Sequence, residues 1–277
     1  MRISQFSVLA GLALTTTAQE LYECGNDPSA EEILLAEAAY RNASASLRRL
    51  KAAACNGRHP ADTTDPDDGY ISPEIIDHQL AMVNTDFAPT GLSFALARAP
   101  RYVVNETWFA DTALFGSPAL DAEMKAALRV GGAQALNVYT LGFRTVASGV
   151  AGYATFPVNY TAFPELDGVV LNVLAVPPLT TTRTGTTMSH EVGHWTGLYH
   201  TFQGGCAPPG DMVDDTAPQA SSTWTCSAAN PLDSCPDDAF PDPYLNLMGY
   251  AACRGEITPG QIQRMREQMG TFRSVLF

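Results

Sequence analysis

The chain has 277 residues, 45% of them hydrophobic, which is enough for one large domain or two small ones with a proper core. Its 16 Lys and Arg stand against 29 Asp and Glu, and the net charge of −13 excludes a nucleic-acid partner and disfavours an anionic membrane surface. Most of these carboxylates are expected on a solvated surface, with calcium sites a further candidate role.

The N-terminus reads as an address. Arg2 precedes the apolar run Phe6 to Leu14, and Thr16-Thr17-Ala18 offers small residues for cleavage near Gln19. Residues 1–18 are therefore expected to be a signal peptide. That run is too short to span a bilayer, and no later stretch reaches about 18 uninterrupted apolar residues. The mature protein is expected to be secreted, extracellular, unanchored and monomeric. Six cysteines fit an oxidising compartment, and sequons at Asn42, Asn105 and Asn159 offer glycan sites on the same route.

Ser29-Ala30-Glu31-Glu32 is a capping-box pattern opening a helix that runs to about Ala54. Residues 55–70, with clustered Gly, Pro and Asp, read as loop, and His59 within them as an exposed side chain. Ser72-Pro73-Glu74 starts a second helix, with Ile75, Ile76, Leu80, Met82 and Val83 on its buried side and His78 on its surface or in its packing. Leu92, Phe94 and Leu96 alternate as a strand, and Arg101 to Val104 offers a second short one. Ala119 to Val130 reads as a helix, Leu136 to Leu141 as a buried strand, Gly152 to Pro157 as a rim strand, and Gly168 to Leu174 as the last strand. After Gly197 the chain turns to Gly, Pro, Cys and Asp, a composition that calls for disulfide staples. The acidic run Gly210 to Thr216 is a candidate Ca²⁺ loop or a solvated turn, and Gln261 to Phe272 a closing helix.

After the strand ending at Leu174, and ahead of the acidic run, lies Thr187 to His200, TMSHEVGHWTGLYH, which carries H-E-x-x-H-x-x-G-x-x-H. On a helix, His190 and His194 are one turn apart on one face and can reach one metal ion. Gly197 can adopt the positive φ that ends a helix, so that the chain returns His200 to the same point. Three neutral imidazoles suit Zn²⁺ and leave its fourth position for water. Glu191 is placed to take that water's proton. The chain has five histidines, and three of them fall within this one motif.

The long motif resembles the metzincin signature, which calls for a methionine turn below the zinc. Tyr244 to Tyr250, YLNLMGY, supplies one. HEVGHWTGLYHTFQGGC followed by NLMGY is similar to the pappalysin-type branch, specifically its small secreted fungal metalloproteases. The resemblance implies an α+β fold, with a twisted mixed sheet and helices in the N-terminal lobe and an irregular, disulfide-rich C-terminal lobe. It implies zinc ligands His190, His194 and His200, general base Glu191, turn methionine Met248, and Tyr250 as the phenol beside the metal. Gly249 stands where many members have Asp. It further implies disulfides Cys226–Cys253 and Cys206–Cys235, and an edge strand at Gly152 to Pro157 that binds extended peptides. Cys24 is either a propeptide thiolate held on the zinc, as in some metzincin zymogens, or the partner of Cys55.

Residues 19–71 are then a propeptide or a divergent N-terminal segment, and 72–277 the catalytic domain. Relatives carry an apolar strand before the helix at Ser72, between two others in the sheet, and Lys51 to Ser72 holds none. The implied function is a secreted zinc endopeptidase acting on proteins or peptides. The alternatives are an inactive homologue serving as a secreted binding protein, and a zinc hydrolase of non-protein amides. Ala251 and Ala252, where some relatives that prefer basic residues carry acids, argue against a basic preference.

Overall fold

The computed structural model describes residues 23–24, 69–103, 105–112, 118–143, 150–176, 186–226, 232–237 and 240–277. The signal peptide, the helix expected from Ser29 to Ala54, His59, Asn42 and Cys55 lie outside them. In chain order the main elements are β1 (Glu23–Cys24), α1 (Pro73–Phe87), α2 (Glu106–Asp111), α3 (Pro118–Leu128), β2 (Val138–Leu141), β3 (Val150–Ala154), α4 (Pro157–Tyr160), β4 (Val169–Asn172), α5 (Thr186–Thr196) and α6 (Pro259–Arg273). The fold is α+β, as expected.

Local chemistry sets the helix ends. The Ser72 hydroxyl accepts from Ile75 N at 3.4 Å ahead of Pro73, and Thr258 and Gln261 complete a capping box on α6. His78 is half-buried on α1. The four-stranded sheet has the order β1-β3-β4-β2, with β2 parallel to β4, β3 antiparallel to β4, and β1 parallel to β3. The central β4 is buried on both faces. Val169 and Leu171 pack toward Trp195 and Met269, while Val170 packs toward Tyr139, Tyr153 and Trp108. A further cluster joins Val83 and Phe87 of α1, Val192 of α5, Met265 of α6 and the turn residue Met248.

Three sequence expectations are corrected. Leu92 to Leu96 and Arg101 to Val103 form no strand, because among the described residues no strand lies beside them to bond with. Instead the Asn84 side-chain amide accepts from Phe94 N at 2.7 Å and donates to Phe94 O at 2.9 Å. The outer edge of β2 likewise has no strand partner among the described residues. It borders a cavity of about 1220 Å³ lined in part by Phe94, Leu96, Met124, Leu136 and Val138. Leu96 and Val138 are 50% and 37% exposed there, and residues 51–68, where the sequence reading finds no strand, lie outside the described residues. The third correction concerns the rim strand: β3 ends at Ala154, and its outer edge is occupied by the backbone of Glu23–Cys24, with Cys24 opposite Gly152.

Beyond α5 the chain is irregular, held by Cys206–Cys235 and Cys226–Cys253, the two pairings implied by the resemblance. Asp167, buried, accepts hydrogen bonds from Arg273 at 2.7 and 2.9 Å, Trp195 Nε1 at 3.2 Å and Thr155 Oγ1 at 2.9 Å. This cluster ties β3, α5 and α6 together beside the site.

Candidate metal centre

The helix α5 presents His190 and His194 one turn apart and stops where the third histidine needs it to. Gly197 has φ 110°, and the Gly197 and Leu198 amides donate to His194 O and Gly193 O at 2.9 and 3.0 Å. This pair of bonds is a Schellman ending, which needs a left-handed residue that glycine supplies at no steric cost. The chain reverses there and carries His200 back over the helix.

The three imidazoles are buried and converge. His200 Nε2 lies 3.2 Å from His190 Nε2 and 3.1 Å from His194 Nε2. Their ligand atoms all fall within 4.8 Å of one another, the one such group of three or more potential metal ligands among the described residues. His190 Nδ1 donates to Leu247 O at 2.8 Å and His194 Nδ1 to Leu198 O at 2.7 Å, a tautomer that leaves both Nε2 lone pairs free to face inward. Burial, and then the neighbouring imidazoles, hold the His190 and His194 pKa values well below the usual histidine range, so both rings are neutral. Lone pairs this close repel unless they share a cation. Tetrahedral Zn–N bonds of about 2.0–2.1 Å place ligand nitrogens about 3.3 Å apart, so the donor set fits zinc.

The surroundings fix the rings. Phe202 stacks on His200 at 4.7 Å, Phe156 meets His194 edge-on at 5.3 Å, and the Tyr250 ring lies 5.1 Å from His200 and 5.8 Å from His190. Glu191 is fully buried between α5 and β3. Met248 lies below, its sulfur where any side chain at Gly193 would go. The turn carrying it closes with Gly249 N donating to Asn246 O at 3.0 Å, so glycine in place of the commoner Asp leaves the turn formed. Asn246 in turn exchanges hydrogen bonds of 2.9 and 3.0 Å with Gln261 of α6.

Sequence reasoning found the three histidines, Glu191, Met248 and Tyr250, which the fold brings together. It missed Asp167, Phe156, Phe202 and the Asp86 carboxylate that accepts from the Ser189 hydroxyl at 2.6 Å next to His190. No spacing announces Asp167, Phe156 or Asp86, because each comes from a distant segment, and Phe202, two residues after His200, belongs to no motif of its own. In the acidic run Gly210 to Thr216, Asp211 accepts from Thr216 Oγ1 and Val213 N, and Asp215 from Thr258 Oγ1 and Gly260 N.

Comparisons agree with this geometry. Residues 132–270 match the model of peptidase family M43, described as pregnancy-associated plasma protein-A. An extracellular metalloprotease of Pyricularia oryzae is 36% identical over 283 residues, covering 97% of this chain and 96% of that one. One from Podospora anserina is 36% identical over 302 residues, covering 99% of each. Mature mirolysin of Tannerella forsythia, solved in complex with a cleaved peptide, superposes with a TM-score of 0.57 at 24% identity, covering 73% of this chain and 86% of that one, and shows the shared fold. The relatives are named extracellular, and no described helix is long and apolar enough to cross a membrane. With a three-histidine centre built on H-E-x-x-H-x-x-G-x-x-H and relatives of this kind along its whole length, the chain belongs to the pappalysin-type M43 family and is a zinc metalloendopeptidase.

Proposed function

We propose that His190, His194 and His200 hold one Zn²⁺ through their Nε2 atoms, that Glu191 is the general base, and that Tyr250 assists at the reacting carbonyl. The observation that carries this reading is the convergence of three buried imidazoles, two of them anchored through Nδ1 to backbone carbonyls. Zinc, when bound there, supplies Lewis acidity toward the scissile carbonyl and an acidified water. Glu191 takes one proton from the attacking water as the C–O bond forms and hands it to the amine nitrogen as the C–N bond breaks. The Tyr250 phenol, on the ring between His190 and His200, donates to the carbonyl oxygen as negative charge develops on it. The substrate is an extended protein or peptide segment, laid along the outer edge of β3 by main-chain hydrogen bonds.

That edge carries Glu23–Cys24 here. Residues 19–71 are accordingly a pro-segment whose removal frees the edge, and 72–277 the catalytic domain. Residues 1–18 direct secretion of a monomer, and the sequons Asn105 and Asn159 take glycans on that route. Calcium at Gly210 to Thr216 draws support only from Asp214 and backbone carbonyls, since Asp211 and Asp215 are engaged internally. Elemental analysis of the purified protein tests it, two metals per chain supporting the second site and one opposing it. For the catalytic reading the experiment is cleavage of an unfolded protein substrate by zinc-loaded protein, beside Glu191→Ala and a chelator control. Activity lost in both controls, with zinc retained in the variant, is expected. Undiminished cleavage by the variant would refute the role of Glu191.

A further inference from the structure

Gly152 lies at the centre of β3, Val-Ala-Gly-Tyr-Ala, opposite Leu171 in the antiparallel register with β4. A glycine inside a strand weakens it and marks a site where something must come close. Here that something is the catalytic-helix glutamate. A β-carbon on Gly152 would lie 3.0 Å from Glu191 Cγ and 3.1 Å from Glu191 Oε1, as well as 2.9 Å from the Val170 carbonyl oxygen. Non-bonded carbons prefer about 3.5–4.0 Å, so the Glu191 side chain occupies the volume that any other residue at 152 would claim.

The surroundings decide which group gives way. The helix cannot turn aside without breaking the His190 and His194 hydrogen bonds to Leu247 O and Leu198 O. β3 is pinned by its pairing with β4 and by Thr155, whose amide and hydroxyl bond Gly168 and Asp167. The movable part is therefore the Glu191 side chain. We propose that Gly152 is a positioning residue for Glu191: the missing side chain on the strand is what gives the Glu191 side chain its place against β3. This rests on the general-base role given above.

The test uses Gly152→Ala, Glu191→Ala and the double variant of the whole protein. In G152A, kcat is expected to fall about 3–10-fold, as for a catalytic group moved by a few tenths of an ångström, with KM and zinc stoichiometry unchanged. In a crystal structure of metal-free G152A the Glu191 carboxylate is displaced from its wild-type place. Alanine at 191 ends at Cβ and removes both the Cγ and the Oε1 contact with the new methyl group. The melting-point loss caused by G152A in the metal-free protein should then be smaller on the E191A background than on wild type, whereas independent effects add. The clash with Val170 O belongs to the sheet and is the same in both backgrounds, so additive losses would assign Gly152 a purely structural role and overturn the proposal. Unchanged kcat in G152A, or Glu191 found undisplaced, would overturn it too. If G152A alone prevents folding, rescue of folding by E191A supports the proposal and failure of that rescue opposes it. A wild-type protein that cleaves nothing would refute the peptidase mechanism, and the metal-free structures would still decide whether Gly152 sets the position of Glu191.

Discussion

Replacing Arg273 by methionine should destabilise the protein far more than its distance from the three histidines suggests. Arg273 and Asp167 are each 1% exposed. Arg273 Nη2 donates to Oδ1 at 2.7 Å and Nη1 to Oδ2 at 2.9 Å, and its guanidinium lies 4.0 Å over the Trp195 ring. Methionine fills much of the volume but leaves a buried carboxylate without its main counter-charge. Breaking such a pair costs about 3–5 kcal/mol. The lower end applies, because Trp195 Nε1 and Thr155 Oγ1 still donate to Asp167 and Arg129 stands 3.7 Å away. About 3 kcal/mol corresponds to a melting point about 6–12 °C lower in a domain of this size. Asp167→Asn with R273M removes both charges and should lose less than R273M alone. Urea unfolding of the three variants beside wild type measures these differences. An R273M protein within about 1 kcal/mol of wild type, or a double variant worse than R273M, would refute the reasoning that the pair is a buried charge clamp.

Two further predictions concern metal and pH. Stripping zinc with a chelator should lower stability by RT ln(1 + [Zn]/Kd), about 4.1 kcal/mol for zinc at a thousandfold over its Kd, and re-adding zinc should restore the melting point. A melting point indifferent to zinc would mean that the folded chain does not hold it. Asp211 has its carboxyl pushed up to about 6 by burial, above the ordinary carboxylate range. A raised folded-state pKa means that the unfolded chain ionises first. The contribution of Asp211 to stability is therefore full below about pH 4 and lost as pH rises through about 6. Asp211→Asn should remove that part of the pH dependence. Denaturant midpoints measured from pH 4 to 7 should diverge between D211N and wild type, and parallel curves would show that Asp211 is not the group.

The N-terminal lobe shows where sequence patterns stop short. Ser72-Pro73-Glu74 announced its helix start because capping is chemistry within four residues, whereas the box of Thr258 and Gln261 starts α6 at Pro259, ahead of the expected Gln261. Gly168 to Leu174 read as the last strand, and Val169 to Asn172 of it form β4. The alternation at Leu92, Phe94 and Leu96 was equally clear, yet no strand formed. Strand hydrogen bonds need a neighbour, and the slot beside β2 has none among the described residues. The edge of β3, expected to be open, is covered by two residues more than a hundred positions earlier in the chain.

At the metal centre, sequence alone determined the donor set. H-E-x-x-H places two imidazoles one turn apart through helical geometry, and Gly197 ends the helix, so the identity of the ligands and of Glu191 is local information. What only the tertiary structure decided is how those groups are held. Leu247 O and Leu198 O fix the tautomers, Asp167 anchors the tryptophan beside His194, and Gly152 makes room for Glu191. These partners come from segments whose spacing along the chain carries no period, and they meet because the sheet, α5 and α6 share one core.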